Sequence, residues 1–287
     1  MLVVSSPLKL ITTIQTLKQK GKKLGLVPTM GALHQGHASL ISAAVQECDE
    51  VIVSIFVNPL QFSPEEDLAQ YPRTLEADCQ VCQQLGAAVV FNPIPEELSI
   101  NEQPQTEAET TKVSPPSLLT SGLCGKYRPG HFTGVATIVT KLLNLVQPDC
   151  AYFGQKDAQQ LAIIRRLVKD LNLPVQIIGC PIIREGSGLA LSSRNQYLTV
   201  SEKQIAANLY YSLQLAHLSY RQGTLSTETL IKIVTKHLQT IPDLKIQYIE
   251  IVNPLTLQPL KTIQDSGLLA IAAYLGNTRL IDNIILD

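Results

Sequence analysis

Leu24–Val57 reads LGLVPTMGALHQGHASLISAAVQECDEVIVSIFV. Two runs of strand character, LGLVP (Leu24–Pro28) and VIVSIFV (Val51–Val57), flank a segment with a helical pattern from Gly36 to Cys48. The second run is continuous and β-branched, the mark of a strand buried on both faces. The alternation continues along the chain. Thr74–Leu85 reads as a helix and Ala88–Phe91 as a strand. Phe132, Val135, Ile138, Val139, Leu142, Leu143 and Val146 recur at helical spacing. Cys150–Phe153 reads as a strand, Leu161, Ile164, Leu167, Val168 and Leu171 mark a helix, and Val175–Gly179 is another strand. The opening MLVVSSPLKL reads as a first strand and not as a signal peptide, because no charged region precedes its apolar residues. Strands alternating with helices predict an α/β fold with a doubly wound, Rossmann-like parallel sheet. In such sheets ligands bind at the carboxyl ends of the strands.

After about Ser187 the texture changes. Helical patterns over Ser201–Arg221 and Thr227–Thr240 are followed by strand patterns over Lys245–Val252, Leu268–Leu275 and Arg279–Leu286. The expected organisation is a parallel-sheet domain over 1–185 and a smaller α+β domain over 186–287. Glu96–Thr111, rich in glutamate, reads as a surface excursion or flexible loop.

Bulk composition excludes several classes. The 287 residues are 45% hydrophobic, which fits a packed core and not disorder. A formal net charge of −1 supplies no global basic field for nucleic acid or an anionic membrane, so any anion site must be built locally. No apolar run is long enough to span a bilayer. The six cysteines lie mostly in apolar or helical contexts. Cys79 and Cys82 form a C-x-x-C inside a helical pattern with no second pair, which favours two helix side chains over a zinc or redox site. A reducing cytoplasm is the expected location.

Four motifs carry candidate chemistry. PTMGALHQGH (Pro28–His37) leaves a buried strand and enters a helix. Helix starts present unpaired N–H groups and a positive dipole end, which favour phosphate. His34 and His37, three apart, share one face of the first turn. Phosphate donation is one reading of this pair; two capping or core histidines is the other. FVNPLQF (Phe56–Phe62) places Asn58 and Gln61 at the end of the second strand, as ligand groups or as an ordinary Asn-Pro turn. YFGQKDAQQL (Tyr152–Leu161) sets Lys156 at a helix start, where a cation is unfavourable unless an anion neutralises it. Asp157 suits a magnesium ion or its waters, or a helix cap, and Gln160 falls one turn further on. GLALSSRN (Gly188–Asn195) combines hydroxyl donors with a guanidinium, the chemistry of a phosphate clamp or of a capped surface turn. Arg128 and His131, in KYRPGHFTGV, suit an anionic substrate or a cap on the helix that follows.

The pairing of His-x-Gly-His after the first strand with a Ser-Ser-Arg loop near the next domain resembles the nucleotidylyltransferase superfamily, which is related to class I aminoacyl-tRNA synthetases. The fuller set also includes EDLAQYPRT, RPGHFTGVATIVTKLLNLVQP and the closing RLIDN (Arg279–Asn283). That set is similar to the pantothenate synthetase (pantoate–β-alanine ligase) family over nearly the whole chain. The resemblance implies ATP-dependent condensation of (R)-pantoate with β-alanine through an enzyme-bound pantoyl adenylate, with Mg²⁺. It places Met30, Gly31, Ala32, Leu33, His34, Gln35, Gly36 and His37 at ATP, with His37 the general acid. Gly154, Gln155, Lys156, Asp157, Ile183, Leu191, Ser192, Ser193 and Arg194 join that site, and His34, Lys156 and Arg194 count with His37 as catalytic. Gln61 and Gln160 hold pantoate, with Asn58, Tyr71, Arg128 and His131 around pantoate and β-alanine, and Asp78 beside the metal. Gln155 stands where the family usually has Glu, and Ser187 where an acidic residue is common. The resemblance also implies a homodimer and, in some relatives, a cytidylate kinase fused beyond this point; the small domain is expected to close over ATP, with Leu191–Arg194 at its moving edge. No G-x-x-x-x-G-K-[ST] occurs in the chain, so any such domain is expected outside it. The rivals are another nucleotidylyltransferase and a non-catalytic nucleotide sensor; a tRNA synthetase is disfavoured, since no basic anticodon-binding domain is visible.

Overall fold

The computed structural model describes residues 1–63, 66–100 and 111–287. In chain order the elements begin β1 (Leu2–Val4), α1 (Pro7–Gln19), β2 (Leu24–Thr29), α2 (Gln35–Glu47), β3 (Glu50–Ile55), α3 (Leu75–Gln84) and β4 (Val89–Phe91). Next come α4 (Ser117–Thr120), α5 (Leu123–Tyr127), α6 (His131–Val146), β5 (Cys150–Gly154), α7 (Ala158–Asp170) and β6 (Gln176–Cys180). The chain continues through α8 (Val200–Ala206), α9 (Asn208–Arg221), α10 (Thr227–Leu238), β7 (Leu244–Val252), β8 (Gly267–Leu275) and β9 (Thr278–Leu286).

The chain divides into two units. The first comprises Met1–Pro115, Arg128–Gly154 and Ile163–Cys180, and the second Pro116–Tyr127, Gln155–Ala162 and Pro181–Asp287. The main segment of the second unit begins at Pro181. Its two earlier segments are marked by no change of composition.

In the first unit the strands β1-β4-β3-β2-β5-β6 form one six-stranded parallel sheet. Successive strand residues face opposite sides. Val27, Val51, Val53, Val90 and Tyr152 share a core with Leu40, Ile41 and Ala44 of α2 and Cys82 of α3. The intervening Leu26, Ile52, Phe91 and Ala151 are fully buried as well. On that side α6 reaches β2, and α1 packs on α6. Burial on both faces explains why the strand sequences run apolar without alternation. The strand order reverses at β2 and β5, which are neighbours through Gly25↔Cys150 and Leu26↔Ala151. Doubly wound sheets bind ligands at this switch point.

The second unit carries the antiparallel sheet β7-β8-β9, with α9 packed on β9 and α10 on β7. Leu209, Leu213, Leu230, Val234, Leu269 and Ile271 are central to its core. The expected α+β texture is therefore present. The single helix expected over Ser201–Arg221 is two, interrupted at Ala207. There the Asn208 amide donates to the carbonyl of Ile205 at 3.0 Å, competing with the helical ladder. Of the polar stretch Glu96–Thr111, Glu96–Leu98 forms one helical turn and Ile100 is buried, while 101–110 lie outside the described residues. No described helix is long and apolar enough to cross a membrane.

Candidate active site

At the switch point β2 ends at Thr29, whose hydroxyl donates to the Ser54 carbonyl at 2.7 Å and accepts from the Gly31 amide at 3.2 Å. The chain then turns sharply. Gly31 has φ +86 and Ala32 has φ +50. For alanine the left-handed conformation costs about 1 kcal/mol. Asp78 of α3, only 2% exposed, offsets it. Its carboxylate accepts from the amides of Ala32 at 3.0 Å and Leu33 at 2.7 Å, and from the Thr74 hydroxyl at 3.2 Å. Both oxygens of Asp78 are thereby engaged.

His34 is the N-cap of α2, and the two histidines cap reciprocally. Nδ1 of His34 accepts from the Gly36 amide at 3.1 Å, and Nδ1 of His37 accepts from the His34 amide at 3.3 Å. Their ring centroids lie 4.1 Å apart. With Nδ1 an acceptor in each neutral ring, the proton sits on Nε2. Capping and phosphate donation, alternatives in the sequence, are thus compatible: one nitrogen holds the ring and the other carries the proton. Met30, Leu33, Gly36 and both histidines are half-buried, Gly31 is buried and Gln35 is exposed.

A second cluster in this unit surrounds Gln61. Its Nε2 donates to Met30 Sδ at 2.9 Å, and its Oε1 accepts from Asn58 Nδ2 at 3.1 Å. Asn58 is buried; its amide also donates to the Gly134 carbonyl at 3.2 Å and its oxygen caps the turn through Leu60 N–H at 3.2 Å. Asn58 therefore builds the turn that presents Gln61. Gly134 makes this approach possible, since a Cβ there would stand 2.2 Å from the Leu60 carbonyl oxygen. Arg128 and His131 act on the same turn. His131 Nδ1 donates to the Gln61 carbonyl at 2.8 Å, leaving Nε2 to accept from Arg128 at 3.0 Å. Arg128 donates to the Gln61 carbonyl at 3.3 Å and pairs with Glu66 at 2.8 Å. Burial would raise the Glu66 carboxyl, but the Arg128 hydrogen bonds and charge outweigh it and hold it below the usual glutamate range. Tyr71 is buried edge-on against Phe62, centroids 5.8 Å apart.

In the second unit Gln155–Asp157 forms a single helical turn before α7. Lys156 Nζ lies 3.9 Å from an Asp157 oxygen, and the two side chains are 20% and 50% exposed. Gly154, the last residue of β5, leads into this turn. Ile183 and Leu191 are brought together: the Leu191 amide donates to the Ile183 carbonyl at 2.9 Å, and Arg184 bridges Ala190 beside them. The hairpin closes through Ser187, whose hydroxyl accepts from the Leu189 amide at 3.4 Å, so the serine has a turn-forming role here. Beyond it Ser192 caps the turn Ser193–Tyr197 by accepting from the Arg194 amide at 3.3 Å. Gln160 is half-buried. Its neighbour Gln159, which no sequence pattern singles out, is buried and ties down α4 and α5 through the carbonyls of Leu119 and Gly122, at 2.9 and 3.0 Å.

Among the described residues no group of three or more His, Cys, Asp or Glu could hold a metal ion. Cys79 and Cys82 are free thiols on α3, with Cys82 pushed up to about 12 by burial.

The model of the pantoate-beta-alanine ligase family matches residues 3–285. The chain belongs to that family. A bifunctional pantoate ligase/cytidylate kinase of Trichormus variabilis is 60% identical over 263 residues, 92% of this chain and 49% of the relative. A like-named relative in Thermosynechococcus vestitus is 60% identical, over 92% of this chain and 51% of its own. The chain spans about half the length of these curated relatives. Among solved structures, pantothenate synthetase from Thermus thermophilus matches with TM-score 0.91 and 40% identity over 99% of both chains. Pantoate-beta-alanine ligase from Francisella tularensis, solved with beta-gamma ATP and beta-alanine, matches with TM-score 0.80 and 37% identity, covering 100% of this chain and 98% of that one.

Proposed function

We propose that this chain joins pantoate to β-alanine at the expense of ATP, giving pantothenate, AMP and pyrophosphate. The observation that carries the reading is the reciprocally capped histidine pair at the carboxyl end of the central strand, in a chain matched to the ligase family almost end to end. In the first step a pantoate carboxylate oxygen attacks the α-phosphorus of ATP, and the bond to the bridging oxygen breaks as pyrophosphate leaves. In the second the β-alanine amine attacks the acyl carbon of pantoyl adenylate, loses a proton, and AMP leaves.

The side chains position reactants and answer developing charge. Gln61, held through Asn58, Met30 and the Arg128–His131 pair, binds pantoate and β-alanine; Gln160 and Tyr71 add to the acid's pocket. Nε2–H of His34 and His37 donates to the phosphates, with His37 protonating the leaving group. Lys156, Ser192, Ser193 and Arg194 neutralise the triphosphate. Mg²⁺ would shield the phosphate charge when bound with ATP, and Asp157, beside Lys156, is a carboxylate that could hold the ion or its waters. Buried free thiols suit the reducing cytoplasm.

Pantoate-dependent exchange of labelled pyrophosphate into ATP tests the first step. Exchange without pantoate, or none with it, removes the reading. The unit of function is proposed to be a homodimer, and sedimentation as a monomer at micromolar concentration would overturn that.

A further inference from the structure

The turn that carries Lys156 is short, and a single helical turn does little by itself to fix the direction of a long side chain. Its restraint comes from β9. The Asn283 amide spends both protons on successive carbonyls, Gln155 at 3.1 Å and Lys156 at 2.9 Å. Two carbonyls held by one planar group set the tilt of the peptide between them, and with it the direction in which the Lys156 side chain leaves the backbone.

Asn283 is itself fixed. Its amide N–H donates to Asp282 at 2.8 Å, and Asp282 forms a two-pronged pair with Arg184 at 2.6 and 2.9 Å. Arg184 lies flat on the Tyr210 ring, 3.6 Å from its centroid, and donates to the Gly188 carbonyl at 3.1 Å. Through Arg184 the same dipeptide of β9 grips the hairpin that leads into Ser192–Arg194. Asp282 and Asn283 are 3% and 6% exposed on an edge strand. Burying a charge and an amide there costs desolvation that a pair of apolar residues would avoid. Burial indeed pushes the Asp282 carboxyl up, against the opposing pull of Arg184. Stability alone does not call for these residues.

We propose that Asn283 is a positioning residue for Lys156, aiming its ammonium at the nucleotide phosphates by fixing the carbonyls of Gln155 and Lys156. This rests on the ligase reading for the identity of the nucleotide. The sequence motif RLIDN thus acquires a physical task that its resemblance to the family did not supply.

The test is a double-mutant cycle of N283A, K156M and both together, reading ATP affinity by calorimetry and pantoate-dependent pyrophosphate exchange on the full chain. N283A and K156M should each weaken ATP binding about tenfold, and the double variant should be no weaker than K156M alone within about threefold. N283S, which keeps one donor, should fall between wild type and N283A. Attack of β-alanine on preformed pantoyl adenylate should change less than about threefold in N283A, since the pyrophosphate has gone. Full additivity of the two losses, or unchanged ATP affinity in both N283A and N283S, overturns the proposal. If N283A does not fold, N283S alone and on the K156M background decides the same question. If the wild type binds ATP with this coupling but shows no exchange, the ligase reading falls and the positioning role stands.

Discussion

The start of α2 and the turn Gln155–Asp157 are both helix entries from a neighbouring pair of central strands, yet they are held in different ways. At α2 the chain passes through left-handed conformations at Gly31 and Ala32, a buried carboxylate takes the amides of Ala32 and Leu33, and the histidine rings themselves are the caps. At Gln155–Asp157 the backbone is pinned by Asn283, while Lys156 and Asp157 remain 20% and 50% exposed. On the proposed reaction the difference follows from the chemistry asked of each. A proton donor must be placed to a fraction of an ångström, so its ring is locked. A charge neutraliser acts over several ångströms, so locking its backbone suffices.

The largest effect should come from the locked ring. His37→Ala should slow adenylate formation by about 10²–10⁴-fold, a barrier change of about 3–5 kcal/mol, with a much smaller loss of ATP affinity. Equal losses in the two separately assayed half-reactions would mean that His37 is no leaving-group acid. Next is Gly134→Ala. Its Cβ would sit 2.2 Å from the Leu60 carbonyl oxygen, so α6 or the Gln61 turn must move. Denaturant melts should show about 3 kcal/mol lost, together with a raised pantoate KM. A variant as stable as wild type would show that this turn is looser than described. Asp78→Ala strands the amides of Ala32 and Leu33, for a loss of about 2 kcal/mol. Activity lost in D78A and regained by raising Mg²⁺ would assign Asp78 to the metal and break the contrast between the two regions. The smallest effect is expected of Ser192→Ala in the second unit. Loss of its cap should cost below about 1 kcal/mol, while the ATP KM rises several-fold. A stability loss as large as that of D78A would put the two regions on one footing.

Much of this is legible in the sequence because the parallel strands are buried on both faces and leave apolar runs such as Val51–Val57, interrupted only at Ser54. The histidine pair is legible too, from its place after such a strand. Helix α1 is not, although Ser6-Pro7 opens it and the buried Leu10 and Ile14 lie one turn apart. Its remaining residues are mostly polar or exposed, so the periodic signal is thin. The partners of the site residues are hidden for a different reason. Asp78, Asn58, Glu66, Gln159, Arg184 and Asn283 act through contacts set by the tertiary fold, often from tens of residues away. No local spacing announces that Asn283 will meet Gln155, 128 residues earlier.

The central claim is that pantoate is activated as an acyl adenylate. Pantoate labelled with heavy oxygen in its carboxylate should, after turnover with ATP and β-alanine, leave one labelled oxygen in AMP, read by mass spectrometry. Label confined to pantothenate and inorganic phosphate, with ADP as the nucleotide product, would make the intermediate an acyl phosphate and contradict the account.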